Sequence, residues 1–201
     1  MKLSVMRPAL VLALALGLAS CGGKAGFTIA GEVTGLKYKG LELSTNGMKI
    51  PVAPPADAAT TVKFAFPNDI EYGEVYSVLI AHQPDHQTCA LDHTSTNTAG
   101  RLATINVNIG CAVNLASVTG TVKGLTGTGL QLTNGSTSGI ITVVPSTTGT
   151  DPTFSFANIP FDQAYGITVL TQPAGQVCTV GATGVGVMDD DGVQNVVVDC
   201  K

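Results

Sequence analysis

Short runs in which apolar and polar residues alternate make up most of this chain, and Gly, Asn or Pro bounds many of them. After the first 20 residues, no long stretch places apolar side chains at the i, i+3, i+4 and i+7 positions of an amphipathic helix. Alternation with a period of two over a few residues is typical of a half-buried strand. The pattern therefore predicts an all-β protein built from short strands.

A block of sequence occurs twice, which indicates a duplicated unit. Residues 31–47 read GEVTGLKYKGLELSTNG and residues 120–135 read GTVKGLTGTGLQLTNG, so that Gly, Val and Leu positions recur 89 residues later. Further matches follow in the same order: Phe64-Ala65-Phe66 with Phe154-Ser155-Phe156, Tyr76 with Tyr165, and Gln83-Pro84 with Gln172-Pro173. Each copy has the length of a small β-sandwich of about seven strands.

Each copy carries the same series of predicted strands and turns. The Asn46-Gly47 and Asn134-Gly135 pairs are turn signals, because both residue types tolerate a positive φ. The Phe-x-Phe strand places both rings on one face, and the strand after it stops at Gln-Pro because proline lacks the ladder donor. The predicted first and last strands of the copies are 28–33, 103–109, 117–122 and 193–199.

Four cysteines besides Cys21 lie at equivalent places in the two copies. Cys89 and Cys111 are 22 residues apart, as are Cys178 and Cys200, and three connectivities are possible. Duplication favours the pairs Cys89–Cys111 and Cys178–Cys200, because each copy must have folded alone before it was doubled. Export to an oxidising compartment would allow both bonds to form.

The N-terminus has the layout of an export signal. Lys2 and Arg7 precede an Ala, Val and Leu core at 9–16, which is shorter than the roughly 20 residues that span a bilayer. The sequence Leu18-Ala19-Ser20-Cys21 then resembles the lipobox of bacterial lipoproteins. That resemblance implies cleavage before Cys21, lipidation of Cys21 and a membrane anchor. Gly22, in place of an acidic residue, resembles lipoproteins that are sent to the outer membrane.

The repeat itself resembles a module of secreted and lipid-anchored proteins of Gram-negative bacteria. Its marks are Gly-x-Val-x-Gly-Leu, Gly-Leu-x-Leu, Phe-x-Phe, Tyr-x-Val-x-Val, Gln-Pro-x-x-Gln-x-Cys and a final Val-x-Cys, and the second copy fits them best. The resemblance implies two tandem immunoglobulin-like or transthyretin-like β-sandwiches used as surface or stalk modules, and it transfers no catalytic residue. We expect a signal peptide at 1–20, a lipidated N-terminus and linker at 21–26, and domains at 27–111 and 112–201.

Charge narrows the range of partners. Loss of Lys2 and Arg7 with the signal leaves 8 basic and 14 acidic residues, a net charge of −6. Such a chain suits neither nucleic acid nor a polybasic contact with anionic lipid. We therefore expect attachment to the membrane through the N-terminal lipid, and a further partner that is an envelope protein or a glycan.

Two clusters carry side chains of the type that bind metals. All three histidines lie within 12 residues, in a group that suits zinc or copper and consists of His82, Asp85, His86, Asp92 and His93. The second copy has Thr171, Gly175 and Ala182 in place of these histidines, so the group is either a copy-specific site or a solvated loop. Asp189, Asp190 and Asp191 precede Gly192 and form either a calcium site or an acidic hairpin loop, since EF-hand spacing is absent.

The sequence shows no catalytic arrangement. Its serines lack a Gly-x-Ser-x-Gly setting, and the glycine-rich residues 181–186 lack the strand–turn–helix context of a phosphate loop. We expect a lipid-anchored cell-envelope protein without cofactor or catalytic activity, with a structural, adhesive or protein-interaction role. The alternatives are a metal- or small-ligand-binding lipoprotein that uses the His82/His86/His93 loop, and an accessory subunit of an envelope or secretion complex.

Overall fold

The computed structural model describes residues 25–56, 61–93, 96–100, 105–135 and 138–201, so that Cys21 lies outside the described residues. Within these ranges the protein is all-β, as the alternating pattern predicts, with one 3₁₀ turn at Ala182–Gly184. The strands of the first copy are β1 (Gly26–Phe27), β2 (Ile29–Thr34), β3 (Leu41–Thr45), β4 (Met48–Val52), β5 (Thr61–Ala65), β6 (Ile70–Glu71), β7 (Val75–Ser77), β8 (Leu79–His82), β9 (Gln87–Leu91), β10 (Thr96–Thr98) and β11 (Ile105–Val113).

The second copy repeats this series of strands. Its strands are β12 (Leu115–Lys123), β13 (Leu130–Asn134), β14 (Ser138–Val143), β15 (Thr153–Pro160), β16 (Ala164–Thr171), β17 (Cys178–Val180), β18 (Val185–Val187) and β19 (Val193–Cys200). Only Asn114 separates the last strand of the first copy from the first strand of the second.

The two copies have the same topology. One sheet has the strand order β5-β2-β11-β9 in the first copy and β15-β12-β19-β17 in the second. The other sheet has the order β4-β3-β8 in the first copy, and β14-β13-β16-β18 in the second. The short ladder β10-β7 in the first copy corresponds to the β18-β16 end of the second. The chain therefore folds as two tandem small β-sandwiches, called the first and second domain below.

Leaving aside the two-residue β1, which pairs with β6, the first and last strands of each domain (β2 with β11, and β12 with β19) run parallel to each other. The other pairs among the described residues are antiparallel. In the first domain β2 and β11 pair from Ile105↔Ile29 to Gly110↔Thr34. Because both strands run the same way, the chain enters a domain at one end and leaves it at the opposite end. We call these the entry end and the exit end.

Each domain has its own hydrophobic core, filled by the inward-facing positions of its strands. Both rings of each Phe-x-Phe strand are buried and in edge contact, with centroids 6.1 Å apart in each domain. The buried residues of the first core include Ile29, Val33, Leu41, Leu43, Phe64, Phe66, Val78 and Ile109. Those of the second core include Val118, Val122, Leu130, Leu132, Phe154, Phe156, Ile167 and Val198.

The first glycine of the Gly-x-Val-x-Gly-Leu motif allows the first and last strands to approach each other. A Cβ at Gly120 would lie 2.2 Å from the carbonyl oxygen of Val196 and 2.4 Å from Cζ of Phe154. A Cβ at Gly31 would lie 1.8 Å from the carbonyl oxygen of Val107. Only a residue without a side chain fits under these contacts. The repeated glycine is therefore a packing requirement of the fold.

The Gln-Pro-x-x-Gln-x-Cys motif holds the turn that follows the first strand. Oε1 of Gln87 accepts hydrogen bonds from the backbone N–H groups of Lys37 and Tyr38 at 2.7 and 3.0 Å. Its Nε2 donates to the carbonyl of Gly35 at 2.8 Å. The second domain repeats these three bonds with Gln176 as the clamp and Thr126, Gly127 and Gly124 as its partners. These bonds satisfy backbone N–H and C=O groups of the turn that have no partner in the sheet.

The two disulfides join Cys89 to Cys111 and Cys178 to Cys200, which are the pairs that duplication favours. Each bond ties the edge strand of a sheet to the last strand of its domain, since Cys89 is opposite Cys111 in the β9–β11 ladder. Closing a loop of this length stabilises a domain by about 3 kcal/mol. The bonds therefore close each domain at the strand by which the chain leaves it.

The observed strands differ from the predicted ones at the ends of the copies. The last strand of the first domain continues to Val113, four residues beyond the predicted end at 109, because its final residues pair with β9. The strands that begin at or near the first cysteine of each pair, β9 and β17, were not predicted. Their sequences, Gln87–Leu91 and Cys178–Val180, are too short to show a clear alternation.

We predict that Gly120→Ala destabilises the second domain, because the new Cβ displaces the Val196 carbonyl or the Phe154 ring. Overpacking of this kind costs about 2 kcal/mol, which corresponds to a fall of about 10 °C in the Tm of a domain of this size. Thermal unfolding followed by circular dichroism measures the change. Gly139→Ala is the matched control, since a Cβ there meets nothing within 4 Å. Equal melting of the two variants would contradict the packing role.

Candidate functional site: the joint between the domains

Asn114 is the centre of the joint at which the exit end of the first domain meets the entry end of the second. Its backbone N–H donates to the carbonyl of His86, and its carbonyl accepts from the N–H of Phe161, both at 2.9 Å. Its side-chain Nδ2 donates to Oδ1 of Asp190 at 3.2 Å, and its Oδ1 accepts from the Thr88 hydroxyl at 3.0 Å. The single residue between the domains is therefore bonded to both of them.

The imidazole of His86 lies flat against the ring of Phe161. Their centroids are 3.7 Å apart and the rings are parallel to within 3°. Tyr38 closes the cluster with its ring edge-on to both, at centroid distances of 5.3 Å from His86 and 5.6 Å from Phe161. Two of these rings belong to the first domain and one to the second. Aromatic contacts of this kind add about 0.5–1.5 kcal/mol each beyond the area that they bury.

The same imidazole also contacts a carboxylate of the second domain. Nδ1 of His86 lies 2.6 Å from Oδ2 of Asp190, a distance at which an Nδ1–H donates to the carboxylate. Both side chains are about one-third exposed, at 35% and 34%. Solvent therefore screens the pair, whose contribution is at most about 1 kcal/mol. The stacked rings and the Asn114 hydrogen bonds act beside this pair in the same joint.

The side chains of the first domain that build the joint have no counterpart in the second domain. His86 corresponds to Gly175 and Tyr38 to Gly127. His86 has a φ of 57°, in the left-handed region where glycine is favoured, and Gly175 has a φ of 72°. A non-glycine residue there costs roughly 1 kcal/mol. The first domain therefore has an unfavourable φ at the residue whose imidazole contacts the second domain.

The structure brings together one member of each predicted metal cluster, His86 and Asp190. His82 points to the carbonyl of Gly40, with Nδ1 at 3.0 Å. The backbone N–H of Asp85 donates to Lys39, and that of Asp92 donates to Asn108. His93, Asp189 and Asp191 are exposed. Oδ1 of Asp189 accepts a hydrogen bond from the backbone N–H of Asp190 at 2.8 Å, beside the joint.

Within the described ranges, no three His, Cys, Asp or Glu side chains form a group that could hold a metal ion. The metal site at the histidine loop and the calcium site at Asp189–Asp191 stay predictions from the sequence. The geometry places His86 and Asp190 in contact across the joint between the two domains.

Sequence reasoning missed four residues of the joint: Tyr38, Thr88, Asn114 and Phe161. The signal that identifies Tyr38 is the same as for His86, namely a large side chain where the other copy has glycine. Phe161 falls in the turn after β15 and matches Tyr72 of the first copy. Nothing in the local sequence marks Asn114, whose role follows only from its place between the two domains.

Comparisons with known proteins place the chain in no family, since no protein-family model and no curated protein sequence matches it. Among solved structures, the major pilin protein T-13 from Streptococcus pyogenes serotype GAS131465 is similar over 89% of this chain and 96% of that chain. The two are 9% identical and the TM-score is 0.30. A likeness at this level supports no conclusion about the function of this chain.

We predict that His86→Gly opens the joint without unfolding the first domain, because glycine accepts the observed φ and already occupies this position in the second domain. Loss of the ring stack should raise hydrogen exchange at the Phe161 amide about tenfold, the equivalent of about 1.4 kcal/mol. Exchange measured by NMR on the backbone amides reports the change, with the Val122 amide as a reference in the second core. His93→Gly is the matched control outside the joint. An unchanged Phe161 amide in His86→Gly would contradict the assigned role.

Proposed function

We propose that this chain is a lipid-anchored cell-envelope protein in which two β-sandwich domains form a spacer that holds the second domain away from the membrane. The observation that carries the proposal is the joint, which bonds the exit end of one domain to the entry end of the next. The role is structural or adhesive, and the proposal assigns no catalytic residue.

The direction of the chain through each domain supports a spacer. β11 of the first domain has nine residues, and at about 3.3 Å per residue it covers about 26 Å between the ends of the domain. The second domain begins one residue later and repeats the same direction of travel. Two domains connected in this way add their lengths, because the entry and exit points of each lie at opposite ends.

The position of the predicted anchor supports the same arrangement. Cys21 precedes β1 by only five residues, and β1 lies at the entry end of the first domain, opposite the joint. No helix within the described ranges has the length and apolar content that crossing a bilayer requires. Lipid on Cys21 would hold the entry end at the membrane and leave the second domain at the far end. The bilayer proposed is the outer membrane, on the basis of Gly22.

We predict that Cys21→Ala moves the protein from the membrane fraction to the soluble fraction of cells, because the thiol is the site of acylation and acyl chains supply the binding energy. Immunoblots of fractionated cells measure the distribution. Gly22→Ala is the matched control, since it changes the next residue by one methyl group and leaves the lipobox intact. Retention of Cys21→Ala in the membrane fraction would contradict the proposal.

A further inference from the structure

Tyr72 lies at the entry end of the first domain, next to the point where the chain comes in. It follows Glu71, which pairs with Gly26 in the β1–β6 ladder. Tyr72 is 72% exposed, the largest exposed fraction among the large hydrophobic residues that the structure describes. The second domain has an aromatic ring at the equivalent position, and the residue that this ring contacts is known.

The counterpart is Phe161, in a turn that the two domains build with the same backbone bonds. The N–H of Gly73 donates to the carbonyl of Ala99 at 3.0 Å, and the N–H of Asp162 donates to that of Met188 at 2.9 Å. Phe161 uses this position to stack on His86 of the preceding domain. The entry-end aromatic of the second domain therefore docks on the body that precedes that domain, and Tyr72 offers an exposed ring at the same position of the first domain.

The ring of Tyr72 is held in place rather than free to fold inward. A Cβ at Gly100 would lie 2.3 Å from the Tyr72 ring, so the ring rests directly on the backbone there. Phe27 flanks it, with the centroids 6.4 Å apart. Among the described residues, the Tyr72 hydroxyl has no hydrogen-bond partner. The result is a fixed, exposed phenol beside the ring of Phe27, which is half-buried and packs against the first core.

The number of residues before β1 limits how far this ring can be from the anchor. Gly26 is five residues after Cys21, and a fully extended chain of that length reaches at most about 18 Å. Gly26 is opposite Glu71 in the β1–β6 ladder. The Tyr72 turn can therefore be at most one strand spacing farther from Cys21 than Gly26 is. An acylated Cys21 would therefore keep this turn within about 25 Å of the anchor, in reach of the lipid headgroups.

We propose that Tyr72 and Phe27 dock the entry end of the first domain onto the headgroup region of a zwitterionic bilayer. The inference rests on the proposed function, because the lipid on Cys21 is what brings the bilayer to this surface. Tyrosine has an apolar ring and a polar tip, and it is enriched where hydrocarbon meets water. Two rings bind a bilayer weakly, but a short tether raises their effective concentration at the surface.

Two described carboxylates beside Tyr72 favour a bilayer surface without net negative charge. Glu71 and Glu74 flank the turn, and both are exposed. The backbone N–H of Glu71 and the side-chain amide of Asn46 hydrogen-bond to the Glu74 carboxylate and lower its pKa. A carboxylate that stays ionised repels anionic headgroups. Zwitterionic lipid is therefore the matching surface.

Fluorescence quenching tests this docking directly, since the chain has no tryptophan and Tyr72→Trp introduces a single reporter. Residues 21–201 are coupled through the Cys21 thiol to a maleimide lipid in phosphatidylcholine vesicles, with or without bromine on the acyl chains. We expect brominated lipid to quench the Tyr72→Trp reporter. The matched reporter is Val177→Trp, which is 62% exposed at the exit end of the second domain and should keep its emission.

Three outcomes would overturn the proposal. They are equal emission of the Tyr72→Trp reporter in plain and brominated vesicles, equal quenching of both reporters, and quenching that does not fall when phosphatidylglycerol replaces part of the phosphatidylcholine. The chemical tether stands in for acylation by the cell. A failure to dock is thus separate from a failure of Cys21 lipidation, which the fractionation of Cys21→Ala measures.

Discussion

The arrangement of this protein depends on the parallel pairing of the first and last strands in each domain. Parallel partners run in the same direction, so the chain enters at one end of the sandwich and leaves at the other. Gly31 and Gly120 make this pairing possible, because a carbonyl of the last strand passes where their side chains would be. A disulfide then ties the last strand to the edge of the sheet. Domains closed in this way can be joined end to end by a single residue, which here is Asn114.

Duplication supplied two equal domains, and divergence at a few positions made them into a connected pair. The clamps formed by Gln87 and Gln176 are the same in both copies, because every copy needs its turn held. The side chains of the joint differ between copies. His86 stands where the second copy has Gly175, in a backbone conformation that favours glycine, and the same imidazole meets both a ring and a carboxylate of the next domain. Interactions between domains thus explain a residue that the fold of its own domain does not favour.

The sequence predicted the all-β class, the duplication and the cysteine pairs, because each leaves a local or repeated signal. It predicted two residues of the joint but not that they contact each other. His86 and Asp190 were found as members of two separate metal-type clusters, since residue type reveals chemistry but not which side chains meet across 104 positions. Asn114 and Phe161 carry no such signal, and their importance arises from the docking of two folded domains. The short strands β9 and β17 were missed because a few residues give too little periodicity to read.

Heteronuclear NMR relaxation on the intact residues 21–201 tests the central claim most directly, because it measures how each domain tumbles. The account predicts one rotational correlation time for the amides of both domains, that of a single body of 181 residues. Separate, shorter correlation times for the two domains, each typical of a free domain of half that size, would show that the joint does not hold them together and would contradict the account.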